Sequence, residues 1–114
     1  MTIDDFLLKL DQNPEQIEFS ETMDVIDDNY NFTPAKFSNG DTLNEENQNN
    51  GSCKIFAFGL LNSLNEHQTL ACFGSYYRDD VLAHPESNDH QNIRNFIKSG
   101  WDGIHFSSAA LLEK

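Results

Sequence analysis

A chain of 114 residues with 38% apolar side chains and nine phenylalanines can build one hydrophobic core without a metal or disulfide to staple it. Nineteen acids against seven bases give a net charge of -12, which repels nucleic-acid phosphates and anionic lipid surfaces. Residues 1–50 carry twelve acids against Lys9 and Lys36, while residues 51–114 carry seven acids against five bases, so an acidic front half precedes a nearly balanced back half. A solvated surface explains that excess more simply than an acidic docking face. Cys53 and Cys72, the only thiols, fall inside amphipathic patterns and read as buried free thiols in a reducing cytosol. No charged-then-apolar leader opens the chain, and the longest apolar run, residues 55–61, is too short to span a bilayer. A soluble, cytoplasmic protein is expected.

Residues 2–10 read as a helix: Thr2 is a fair N-cap, and Ile3, Phe6, Leu7 and Leu10 recur at i, i+3, i+4 and i+7. Asn13-Pro14 stops it, and Pro14 can open the next segment, where its missing N–H costs nothing. A second helix is expected from Ser20 through Met23, Ile26 and Tyr30; the alternation of Ile17 and Phe19 offers a strand instead. Thr33-Pro34 forces extended chain between Tyr30 and Phe37, with one or two short strands and a turn at Ser38-Asn39-Gly40-Asp41. Residues 41–51 are almost wholly polar and read as a long surface loop.

Ser52 can cap a helix over residues 53–62 that is apolar nearly all round, hence buried; a buried strand is the alternative. Asn65 and Gln68 form a capping box for a helix whose stripe of Leu70, Phe73, Tyr77 and Val81 should run to Pro85, with Gly74 a weak link inside it. Asn88 or Asp89 can cap a last helix that buries Ile93, Phe96 and Ile97 and stops at Gly100. Residues 104–106 suit a strand pairing with the extended piece near Phe32, and residues 107–114 lack any period and read as a loosely held tail. The sum is a single helix-rich α+β domain over residues 1–114: about five helices around a phenylalanine-rich core, with a small antiparallel β element made near residues 30–37 and 104–106.

Residues 70–106 concentrate the groups that can do chemistry: Tyr76, Arg78, Asp79, Asp80, His84, Asp89, His90 and Arg94. Each also has a structural use. His84 continues the apolar stripe to a helix end, where an imidazole is half-buried and favoured by the dipole. His90 opens the last helix. If the Pro85 turn folds the two helices together, the imidazoles approach and, with Asp79, Asp80 or Asp89, make a two-nitrogen, one-carboxylate set for a small, metal-dependent enzyme. No His-x-x-x-His or Cys-x-x-Cys pair requires it, so neither metal nor cofactor is expected. Arg78 beside Asp79 and Asp80, and Arg94 near Asp89, read as ion pairs holding helices in register, with an anionic ligand as the alternative. Tyr76 lies off the buried stripe and suits a ligand-facing ring, whereas Tyr77 suits the core.

The runs Tyr30-Asn31-Phe32-Thr33-Pro34, Gly51-Ser52-Cys53-Lys54-Ile55-Phe56-Ala57-Phe58, Cys72-Phe73-Gly74-Ser75-Tyr76-Tyr77-Arg78-Asp79-Asp80-Val81-Leu82, His84-Pro85, Asp89-His90-Gln91-Asn92-Ile93-Arg94-Asn95-Phe96 and Gly100-Trp101-Asp102-Gly103-Ile104 resemble the HopJ type III effector family over nearly the whole chain. The resemblance implies a bacterial protein injected into plant cells by a secretion apparatus, with no defined biochemical activity. Signals for that apparatus are usually disordered and serine-rich, yet residues 1–20 hold one serine and read as a capped amphipathic helix. This chain is therefore expected to act inside the cell that makes it, and to reach a host cell only if the effector role carries over. A small binding or regulatory module with a protein partner is expected, bound to neither nucleic acid nor membrane; no pattern bears on its oligomeric state.

Overall fold

The computed structural model describes residues 1–114 and places helices α1 (Ile3–Gln12), α2 (Phe19–Asn29), α3 (Asn50–Leu61), α4 (Glu66–Ala71) and α5 (Gln91–Ser99) around a buried phenylalanine cluster. A π-helix at Tyr76–Val81 and 3₁₀ turns at Pro14–Gln16 and Gly100–Gly103 complete the helical part. Five short strands make two antiparallel sheets: β1 (Tyr30–Phe32) pairs with β5 (Leu111–Glu113), and β2 (Phe37–Asn39) lies between β3 (Thr42–Asn44) and β4 (Ile104–Phe106). This is the helix-rich α+β class that the sequence pattern predicts, with its β part divided in two. No helix is long and apolar enough to cross a membrane.

Local signals set several boundaries. Thr2 Oγ1 accepts the Asp5 amide at 3.1 Å and starts α1, which buries Phe6 and Leu10. At α4, Asn65 Oδ1 accepts the Gln68 amide at 2.8 Å and Gln68 Oε1 accepts the Asn65 amide at 3.0 Å. Gly100, at φ 57°, stops α5. Segment 50–61 is a helix rather than a strand, and Phe56 is its hub: ring centroids lie 5.9 Å from Phe37, 5.7 Å from Phe73 and 5.0 Å from Phe96. Cys53 and Cys72 are buried and free, and burial pushes the Cys72 thiol up to about 12 against a hydrogen bond with Thr22.

Elsewhere tertiary contacts override the local reading. Helix α2 starts at Phe19, before Ser20, because Glu21 Oε1 accepts the Glu18 amide at 3.1 Å while Lys9 Nζ lies 2.7 Å from Glu21 Oε2. Its buried face is accordingly Thr22, Val25 and Ile26; Ile26 and Tyr30 are buried as the pattern predicts, but Met23 is only partly so, its place on the stripe taken by Thr22 and Val25. The expected continuous helix to Pro85 breaks at Gly74, whose φ is +61° and where a Cβ would lie 2.6 Å from the Phe19 nitrogen. Two bonds seal that break. Thr22 Oγ1 donates to the Cys72 carbonyl at 2.8 Å, and Arg78 Nη1 donates to the Ile17 carbonyl at 2.8 Å.

Residues 41–51 are not simply a surface loop. Asn39-Gly40-Asp41-Thr42 closes a hairpin in which β3 pairs with β2 and Asn44 is buried, and Asn50 and Gly51 already belong to α3. Strand β4 pairs with β2, Phe37 opposite Phe106, rather than with the chain near Phe32. That place is taken by the supposed loose tail: β5 pairs with β1, Ala110 and Leu111 are buried, and the Thr33 amide donates to the Ala110 carbonyl at 2.8 Å. Buried apolar side chains and a strand pair hold it despite its lack of period. Helix α5 buries Asn92, Ile93 and Phe96, leaving Ile97 47% exposed. The bonds made by Asn92 turn the helix away from the orientation that its apolar residues alone predict.

Candidate functional site

The break at Gly74 aims the following residues. Tyr76 emerges from it 41% exposed, with its ring edge-on to Phe19 at 5.1 Å and tilted against His90 at 5.3 Å. Phe19 is fixed from both sides, since the chain packs on Gly74 through its backbone and on Gly51 through its ring, where a Cβ would meet Phe19 Cζ at 2.8 Å. These three rings, with buried Phe73 and Ile93, line a cleft of about 340 Å³ rimmed by Thr42, Asn49, Ser52 and Asn92 among others. Four of its eleven lining residues are apolar, so ring faces and hydrogen-bonding groups meet on one wall.

A network of asparagines lies at the cleft edge. Asn92 Nδ2 donates to Asn44 Oδ1 at 3.0 Å, and Asn44 Nδ2 donates back to Asn92 Oδ1 at 3.1 Å. Asn39 Nδ2 donates to the Asn92 carbonyl at 2.8 Å and to Asn92 Oδ1 at 3.0 Å, and Asn49 Nδ2 reaches Asn44 Oδ1 at 2.8 Å. The network ties the hairpin, the start of α3 and the start of α5 together. Helices α1 and α4 have side-chain caps, and a carboxylate secures the start of α2, but α3 and α5 start without a side-chain cap behind Asn49 and His90, both in the left-handed conformation. Hence the amides of Gly51, Ser52, Gln91 and Asn92, all residues of the cleft, have no acceptor within the protein.

His90 Nε2 lies 3.0 Å from Asp80 Oδ2 and 3.8 Å from Asp89 Oδ2, so the π-helix, the turn and α5 meet at one imidazole. Arg94 Nη2 donates to Asp89 Oδ1 at 2.7 Å, which, with the nearby His90 and Arg94 charges, holds the Asp89 carboxyl below its usual range despite some desolvation. The Arg94–Asp89 pairing agrees with the sequence reading. Arg78 does not pair with Asp79 or Asp80; it reaches back to the Ile17 carbonyl and lies 3.7 Å from Glu18 Oε1, because the Gly74 break brings it to the start of α2. Asp79 is exposed, and Tyr77 packs partly buried against the core.

His84 is exposed, beyond the end of the π-helix, rather than half-buried on a helical stripe, and it does not line the cleft that holds His90. The structure thus brings Tyr76, Asp80, Asp89, His90 and Arg94 together, sets Arg78 at the far side of the break and leaves His84 apart. No group of three or more His, Cys, Asp or Glu side chains is placed to hold a metal ion. Sequence reasoning missed Phe19, Ser52, Asn39, Asn44, Asn49 and Asn92. The available signals were the Asn-Gly hairpin turn at Asn39-Gly40 and the density of uncharged amides on either side of it.

The helix-rich α+β fold thus carries a cleft walled by Phe19, Tyr76 and His90 and rimmed by polar groups. The chain belongs to the HopJ type III effector protein family, whose profile matches residues 3–111. It is similar to the solved crystal structure of a protein of unknown function, VPA0580, at 63% identity and a TM-score of 0.99, over 100% of this chain and 95% of that one. No curated protein matches it.

Proposed function

We propose that this chain is a binding module whose seat is the cleft between Phe19, Tyr76 and His90, and that its ligand is a small molecule with a flat apolar body and an acceptor group. The carrying observation is the cleft itself, about 340 Å³ with three rings on its wall and an amide network at its edge. Ring faces suit the flat body, and the open amides of Gly51, Ser52, Gln91 and Asn92 suit the acceptor. The competing enzyme reading needs His84 and His90 in one pocket, and no observation favours it.

Phenylacetate is a suitable probe, followed by amide chemical shifts in solution. At roughly 10 mM, a concentration matched to fragment affinity, shifts are expected at Gly51, Ser52, Gln91 and Asn92, and Tyr76→Ala should remove them. Shifts scattered over the surface, or unchanged in Tyr76→Ala, overturn the reading. Family membership raises an effector role, but the burial of Phe6 and Leu10 in α1 supports action within the cell of origin. A reporter fused after residues 1–50 and exported only through an intact secretion apparatus overturns that second statement.

A further inference from the structure

A second groove, of about 350 Å³, lies where the end of the π-helix and the Pro85 turn meet the outer side of α5. Val81 is buried at its base, while Leu82 and Ile97 beside it are 54% and 47% exposed. Together with Val81 they give the groove a small apolar surface that aliphatic side chains of a partner can cover. Its charged lining is entirely cationic, Arg94 and Lys98, in a chain with nineteen acids to seven bases. Arg94 is engaged within the fold: Nε and Nη2 donate to Asp89, and Nη1 to the Pro85 carbonyl at 3.3 Å. Lys98 has no carboxylate partner, so it is the free cation of the groove.

We propose that this groove docks a short acidic amphipathic helix of another protein, with aliphatic side chains seated on Leu82 and Ile97 and carboxylates facing Lys98. The apolar floor matches the i, i+3, i+4 anchors of such a helix. Complementary charge then sets its placement, because the acidic surface elsewhere on the chain repels the same segment.

The test uses the full chain and a dye-labelled glutamate peptide with leucines at i, i+3, i+4 and i+7, read by fluorescence anisotropy. Saturable binding is expected. Ile97→Glu should weaken it by roughly tenfold or more through loss of an apolar anchor, and Lys98→Glu by roughly threefold to tenfold, whereas Lys98→Arg should bind normally. Both positions are exposed, and circular dichroism checks that the variants fold. Equal binding of a lysine-for-glutamate peptide, unchanged binding by Ile97→Glu, or amide shifts centred on the ring-walled cleft overturns the proposal. So does a self-association, seen by sedimentation, that Ile97→Glu dissolves, since a second copy would then be the occupant.

Discussion

Phe37 and Asn39 are two residues apart on β2 and share its buried face, yet different physics holds them. Phe37 stacks on Phe106 at 5.1 Å and packs on Phe56, within a cluster that continues through Phe73, Phe96 and Trp101. Dispersion and burial are summed over many weak contacts there, so a neighbour can shift slightly without losing everything. Asn39 instead belongs to a set of hydrogen bonds with Asn44, Asn49 and Asn92, each with a fixed length and direction. Removing one member strands its partners away from water. Losses on the aromatic side are therefore spread over many contacts, whereas the amide region sets where the cleft edge stands.

Truncation of the hub breaks the aromatic side. Phe56→Ala should cost about 3–5 kcal/mol in urea unfolding, whereas Phe56→Leu should cost under half as much, because another apolar side chain refills most of the space. On the amide side, Asn92→Ala should cost about 2–3 kcal/mol by stranding Asn39 and Asn44. Asn92→Asp should be nearly as damaging despite its identical shape, since a carboxylate cannot donate to Asn44 Oδ1. Wild-type stability in Asn92→Asp would erase the contrast between the two regions.

Smaller effects lie outside both. Asn65→Ala removes the α4 cap and should cost about 1 kcal/mol, a reference for one local bond against which the Asn92 variants are judged. Glu21 is the mildest case. Burial pushes its carboxyl upward, but the Lys9 hydrogen bond, the Glu18 amide and the Lys9 charge outweigh it, so its folded pKa is lowered. Its contribution is then present above the unfolded value and lost as pH falls through the folded one. Lys9→Met should accordingly lower the urea midpoint at pH 7 by an amount corresponding to roughly 0.2–1 kcal/mol, with the gap closing at about pH 2.

The two regions also differed in what could be read beforehand. The phenylalanine core, the caps at Thr2 and Asn65 and the stop at Gly100 followed from periodicity and local chemistry. Arg94 with Asp89 followed as well, being five residues apart across one turn. Asn39, Asn44 and Asn92 carry no such mark, because an uncharged amide in a polar stretch looks the same whether it faces water or other amides. Local sequence pairs Arg78 with Asp79 and Asp80, because nothing local reveals that Gly74 turns the chain toward Ile17. The apolar pattern of α5 places Ile97 in the core for the same reason: it carries no sign that Asn92 is bonded inward.

Sequence alone determined the helix-rich α+β class, the identity of the central phenylalanines, the starts of α1 and α4 and the stop of α5, since burial periodicity and capping act within a few residues of each other. Tertiary structure decided the cleft, the position of the C-terminal strand and the placing of His90, without His84, on the cleft wall. Those outcomes join residues 19, 44, 76 and 92, and residues 30 and 113, across long stretches of chain. Contacts of that kind are selected by the geometry of the whole packed molecule, through a positive-φ glycine and directional amide bonds that leave no periodic trace.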